Sequence, residues 1–135
     1  MKHLLSILAF ILITFGVQGL NHFVVNVAHY ENIDFARAEP IMALGFLTMI
    51  VQGSILTLAL GYLAPKGARI KDAMMVSLSF GLFLGFYIAV TEPAKYAAPS
   101  IPAWIITEGL ASTIQFLLFG LVLGFVHQRF SKGPK

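Results

Sequence analysis

The chain has 135 residues, of which 58% are hydrophobic and 11% charged, where a water-soluble domain carries roughly 25% charged residues; its mean hydropathy is +0.84. A membrane helix needs about 20 apolar residues, so four spans fill this length and leave no room for a soluble nucleotide-binding fold or an extramembrane catalytic domain. The absence of cysteine excludes disulfides, thiolate catalysis and cysteine-bound metal. The expectation is therefore a single all-α domain over residues 1–135, an integral membrane four-helix bundle.

The first apolar run covers about 4–28. Met1-Lys2-His3 followed by Leu4 to Phe15 also reads as a signal peptide, with Val17-Gln18-Gly19 as a small-residue cleavage site. Phe23-Val24-Val25 continues the apolar pattern well past that cut, which favours a retained span. The second, third and fourth runs lie at about 40–64, 73–91 and 102–126, with a basic tail at 127–135. Lys2, Lys66, Arg69, Lys71, Arg129, Lys132 and Lys135 fall on one side of the spans and only Arg37 and Lys95 on the other. By the positive-inside rule both termini are cytoplasmic, and the protein is expected as a multi-pass protein of the cell's inner (plasma) membrane. The pI of about 9.4 then reflects topology and attraction to anionic membrane lipids, and nucleic-acid binding has no support.

Small residues recur at four-residue spacing: Ala73, Ser77, Gly81, Gly85 and Ala89 in the third span, Gly120 and Gly124 in the fourth, Gly53, Thr57 and Gly61 in the second. In lipid such stripes let helix backbones approach. They are expected as packing faces, within the bundle or, through Ser77, Gly81, Gly85, Gly120 and Gly124, between copies or in a larger membrane complex. A weak repeat relates Val51-Gln52, Leu58 and Leu60-Gly61-Tyr62 to Ile114-Gln115, Leu121 and Leu123-Gly124-Phe125, and Thr14-Phe15-Gly16-Val17 to Ser79-Phe80-Gly81-Leu82. Chance resemblance between glycine-rich helices and a duplicated helical hairpin both account for it.

Polar groups inside spans are costly and face protein or water. Gln18, His22, Asn26 and His29 share one face of the first span, with Asn21 beside it; Thr48 and Gln52 stand in the second, and Glu108, Ser112 and Gln115 in the fourth. By depth, Gln18, Gln52 and Gln115 come near mid-membrane, with Glu108, His22 and Asn26 outward of them. This predicts a polar pocket opening to the outer face, unless the same groups serve only as interhelical hydrogen bonds. Glu108 needs a partner, a proton or water. No His-x-x-x-His or Glu-x-x-His pair occurs, so neither metal nor another cofactor is expected; His127, on the opposite side from His22 and His29, argues against paired haem ligands.

Both outer loops carry Glu-Pro, as Glu39-Pro40 and Glu92-Pro93. The first opens a span, where proline and a carboxylate suit the helix N-terminus. Glu39, Glu92 and Lys95 join the ligand-binding candidates, with Arg37 and Lys95 as the outer cations available to these acids or to Glu108. Tyr30, Tyr96 and Trp104 fit an outer aromatic belt.

Arg37-Ala38-Glu39-Pro40, Leu44-Gly45-Phe46-Leu47 through Gln52-Gly53, Glu92 with Lys95-Tyr96, and Trp104 followed by Glu108-Gly109 and Ile114-Gln115-Phe116 resemble a group of small four-span bacterial membrane proteins of unknown function. The resemblance covers about residues 21–127; it implies a four-span architecture and brings no activity or cofactor. Small multidrug exporters share length and span number, but their membrane glutamate lies in the first span, which here has none. Three classes stay open: an accessory or small-ligand-binding membrane subunit, an oligomeric transporter of a small solute or proton, and an intramembrane enzyme acting on lipid or quinone. The last lacks a recognisable nucleophile constellation.

Overall fold

The computed structural model describes residues 1–33, 37 and 39–130. The first long helix, α1 (Lys2–Leu20), runs into a π-helical turn at Asn21–Val25 and a short α2 (Val27–Glu31). Next come α3 (Met42–Leu63), α4 (Ile70–Phe86), a second π turn (Tyr87–Thr91), α5 (Glu92–Lys95) and α6 (Ile101–Phe130). The described residues contain no strand. Four helical segments, Lys2–Val25, Met42–Leu63, Ile70–Lys95 and Ile101–Phe130, are long and apolar enough to cross a membrane. They match the four runs expected from hydropathy, with the third beginning earlier and ending later, because helix tolerates Lys71-Asp72 at its start and Pro93 in the first turn of α5.

Local chemistry explains the breaks. Between α3 and α4 the chain reverses through Gly67, at φ 122°, which a residue without Cβ adopts without strain. The Asp72 carboxylate then accepts from the Arg69 backbone N–H at 2.9 Å, and the Arg69 guanidinium closes on it at 3.1 Å, which satisfies one orphan donor of the α4 N-terminus. In the first π turn the Asn26 N–H reaches back to the Asn21 carbonyl at 3.0 Å. In the second, the carbonyl of Ile88 faces Pro93, which has no N–H to give; the Trp104 indole donates to it at 3.0 Å instead. Tertiary structure thus completes what the local sequence leaves open. The two π turns begin 66 residues apart, at Asn21 and Tyr87, close to the spacing of the weak repeat.

The helices pack in the lateral order α3, α1, α6, α4, with α3 and α4 touching least among these neighbours. Both the start of α1 and the finish of α6 lie at one end of the bundle, here the terminal end; the opposite one is the distal end. The core between them is Phe10, Leu56, Leu60, Phe119 and Leu123, with the Phe10 and Phe119 rings edge-on at 4.8 Å. Outward, Leu4, Leu12, Leu47, Leu58, Leu82 and Phe83 stand exposed, an apolar surface far larger than water-soluble monomers carry.

The small-residue stripe is used inside the chain. A Cβ on Gly81 would lie 2.6 Å from Phe116, on Gly85 3.0 Å from Ser112, on Gly120 2.8 Å from Met74 and on Gly124 2.9 Å from the Ile70 backbone. The Ser77 hydroxyl donates to the Phe116 carbonyl at 2.7 Å. These five residues lie in the α4–α6 seam and are buried there.

Candidate functional site

Two hydrogen-bonded chains meet on the α1–α6 interface towards the distal end. In the first, the Asn26 amide donates to Asn21 Oδ1 at 2.6 Å, the Asn21 amide donates to the Tyr30 hydroxyl at 2.6 Å, and that hydroxyl donates to Glu108 Oε1 at 2.6 Å. Every donor points the same way, towards the carboxylate, an order in which each bond polarises the next. In the second chain Gln18 Nε2 donates to Gln115 Oε1 at 2.9 Å and Gln115 Nε2 donates to Thr14 Oγ1 at 3.0 Å. His22 joins the two: its Nδ1–H donates to the Gln18 carbonyl at 2.9 Å, and its ring stacks on Tyr30 with centroids 3.7 Å apart. Since a carbonyl only accepts, this contact places the Nδ1 proton and leaves Nε2 as the other functional nitrogen of His22.

Burial is deep around these chains. Glu108 is 7% exposed and Gln115 3%. The partner that Glu108 requires is a phenol, and burial together with the Glu108 hydrogen bond raises the Tyr30 pKa well above its ordinary value. Beside Tyr30 stands His29, whose ring meets Tyr30 at 5.0 Å and Trp104 at 5.6 Å between centroids. Its Nε2 is the one buried side-chain polar atom among the described residues with no hydrogen-bond partner.

The structure therefore brings together five of the residues singled out by sequence, Gln18, His22, Asn26, Glu108 and Gln115. It does not bring in Gln52, half-buried on α3, because the face of α3 turned to α1 is Gly53, Leu56, Thr57 and Leu60. Glu39 is exposed in the loop before α3. Glu92 is half-buried at the start of α5 and lies close enough to Glu108 for their charges to interact. Lys95 donates to the Tyr87 hydroxyl at 2.9 Å and sits over that ring; it does not hydrogen-bond Glu108. Tyr30 and Trp104, read as belt residues, turn out to hold Glu108 and the second π turn. Among the described residues no group of three His, Asp or Glu is placed to hold a metal ion. An open groove of about 470 Å³ runs between α4 and α6 along Leu78, Leu82, Phe86, Ile105 and Gly109; it is apolar, and Glu108 does not line it.

A second polar cluster, not anticipated, occupies the terminal end. Thr57 Oγ1 lies 3.0 Å from His3 Nδ1 and 2.9 Å from His127 Nε2, joining α1, α3 and α6. The two imidazoles stand edge to face with centroids 5.6 Å apart. Its only sequence signal is that His3, Thr57 and His127 fall on the same side of the expected topology.

The chain matches no family model, no curated protein and no solved structure.

Proposed function

We propose that this is a multi-pass protein of the bacterial inner membrane, with both termini cytoplasmic and the distal end outward, acting as an accessory or small-ligand-binding subunit. The placement of lysine and arginine supports the orientation, and the exposed apolar surface supports embedding in lipid. The observation that carries the subunit reading is the enclosure of Glu108, which is almost fully buried and answered by Tyr30. A carboxyl that served as a permeation site would face water or a cavity. Here it terminates a chain of bonds made within the protein. The unpartnered Nε2 of His29 beside it supports a ligand with a hydrogen-bonding group at the distal rim, since buried polar atoms are rarely left alone.

A transporter is the second reading, favoured by the polar groups that lead from Glu108 and Tyr30, across the stacked His22 ring, to Gln18, Gln115 and Thr14. Flux separates the two. Reconstituted in vesicles, the purified protein should pass protons and small cations no faster than empty vesicles do. A flux abolished by Glu108→Gln would overturn the subunit reading in favour of the conduit.

A further inference from the structure

The cluster at the terminal end consists of two titratable rings and one hydroxyl, and its proton count decides whether it holds. A threonine hydroxyl has one proton to donate and lone pairs to accept with. With both rings neutral, one imidazole donates N–H to Thr57 and the other accepts from it, so α1, α3 and α6 are tied by two bonds through one oxygen. His127 is 1% exposed and Thr57 fully buried, while His3 is half-buried at the rim. Protonating the accepting ring removes its lone pair. Both rings then donate to the hydroxyl oxygen, whose two lone pairs can take them, but the hydroxyl's own proton is left without its acceptor and an imidazolium charge stands beside a fully buried side chain.

The surroundings offer that charge nothing. From α1 the groups acting on the two rings are the Lys2 ammonium and the amino group of Met1, both positive, and each ring also faces the other. From α3 come Thr57, Gly61 against the His3 ring, and exposed Tyr62. From α6 comes His127, with Arg129 exposed beyond it. The nearby start of α4 supplies Arg69, Lys71 and Asp72, and the Asp72 carboxylate is already held by Arg69. What α1 gives up when the cluster opens is its first turns, where Ser6 is fully buried and bonded to the Lys2 carbonyl.

We propose that His3, Thr57 and His127 form a proton-operated latch that fastens the first turns of α1 to the bundle when neutral and releases them when the accepting imidazole is protonated. It is independent of the distal site, from which the Phe10, Phe116 and Phe119 rings separate it. The ligand of this site is the proton itself, and histidine is the side chain that gains its charge closest to neutral pH.

Because the chain has no cysteine, the latch can be read by thiol labelling of the full-length protein in detergent. Ser6→Cys places a near-isosteric thiol at the buried first turns, and Lys66→Cys, in the exposed loop, corrects for the pH dependence of the reagent. The labelling rate of the first relative to the second should rise about tenfold between pH 8 and pH 4, the factor set by roughly one buried donor left unsatisfied. With Thr57→Val added, the ratio should be high at both pH values; with Thr57→Ser it should track the parent. A ratio unchanged between pH 8 and pH 4, or the parent's response surviving in Thr57→Val, overturns the latch.

Discussion

Replacing Gly81 by alanine adds one methyl group at the tightest point of the α4–α6 seam. That carbon would stand 2.6 Å from both Cβ and Cγ of Phe116, about 1 Å inside the separation at which carbon atoms attract. The obstacle is the base of a buried ring rather than a flexible tip, so the helices must part. An opening of about 1 Å takes the Ser77–Phe116 bond from 2.7 Å past the range of a hydrogen bond, at a cost of about 1 kcal/mol. Overpacking adds about 1–3 kcal/mol, and the better helix propensity of alanine returns about 1 kcal/mol. The net loss is about 2 kcal/mol, a change of roughly thirtyfold in the folded ratio. Trp104, the single tryptophan, packs on this side of the bundle and reports it by fluorescence during unfolding in SDS and mild detergent. Gly16→Ala is the control, since nothing lies within 4 Å of its added carbon and only the propensity gain applies. Equal stability of the two variants would refute the reasoning, because the seam would then not depend on close backbone approach.

The same contacts set other outcomes. Leu82→Phe, at a position 70% exposed, should leave unfolding within about 0.5 kcal/mol of the parent, whereas Gly81→Leu should abolish the folded form in the same titration. Trp104→Phe leaves the Ile88 carbonyl without its donor and should cost about 1–3 kcal/mol, seen by far-UV circular dichroism during unfolding. Tyr30 is held neutral in the fold, so its pKa is higher folded than unfolded. Its contribution is whole below the ordinary tyrosine value of about 10 and falls as pH rises beyond it. The midpoint of unfolding should drop between pH 9.5 and about 11, and Tyr30→Phe should flatten that drop; an equally steep drop in the variant would sever it from Tyr30.

The helices were legible because hydropathy over about 20 residues is a large signal, and the α4–α6 seam because glycine and serine at four-residue spacing have one structural use in lipid. The site was legible in part. Gln18, His22, Asn26 and His29 were placed on one face by assuming regular helix, but the π turn at Asn21–Val25 inserts a residue and rotates the segment from Asn26 onward. Asn21, which regular spacing set beside the stripe, is consequently the buried link to Tyr30. Gln52 was placed by depth alone, and depth says nothing about which way a helix is turned. The partner of Glu108 was sought among cations because charge pairing is readable from composition. A tyrosine beyond the break in α1, folding back over the bundle, is not. His3 and His127 meet only because the topology returns the last helix to the end where the first begins.

Single cysteines test the central claim, an outward-facing bundle whose distal polar cluster is closed to water. Lys66→Cys, Ser100→Cys and Gln115→Cys are made separately and treated with a membrane-impermeant thiol reagent in sealed vesicles of each orientation. Lys66 and Ser100 are exposed at opposite ends, and Gln115, bonded to Gln18 and Thr14 within the cluster, is 3% exposed. The account predicts labelling of Lys66→Cys only from the cytoplasmic side, of Ser100→Cys only from the outer side, and of Gln115→Cys from neither. Labelling of Gln115→Cys from either side, or a reversal of the other two, would contradict it.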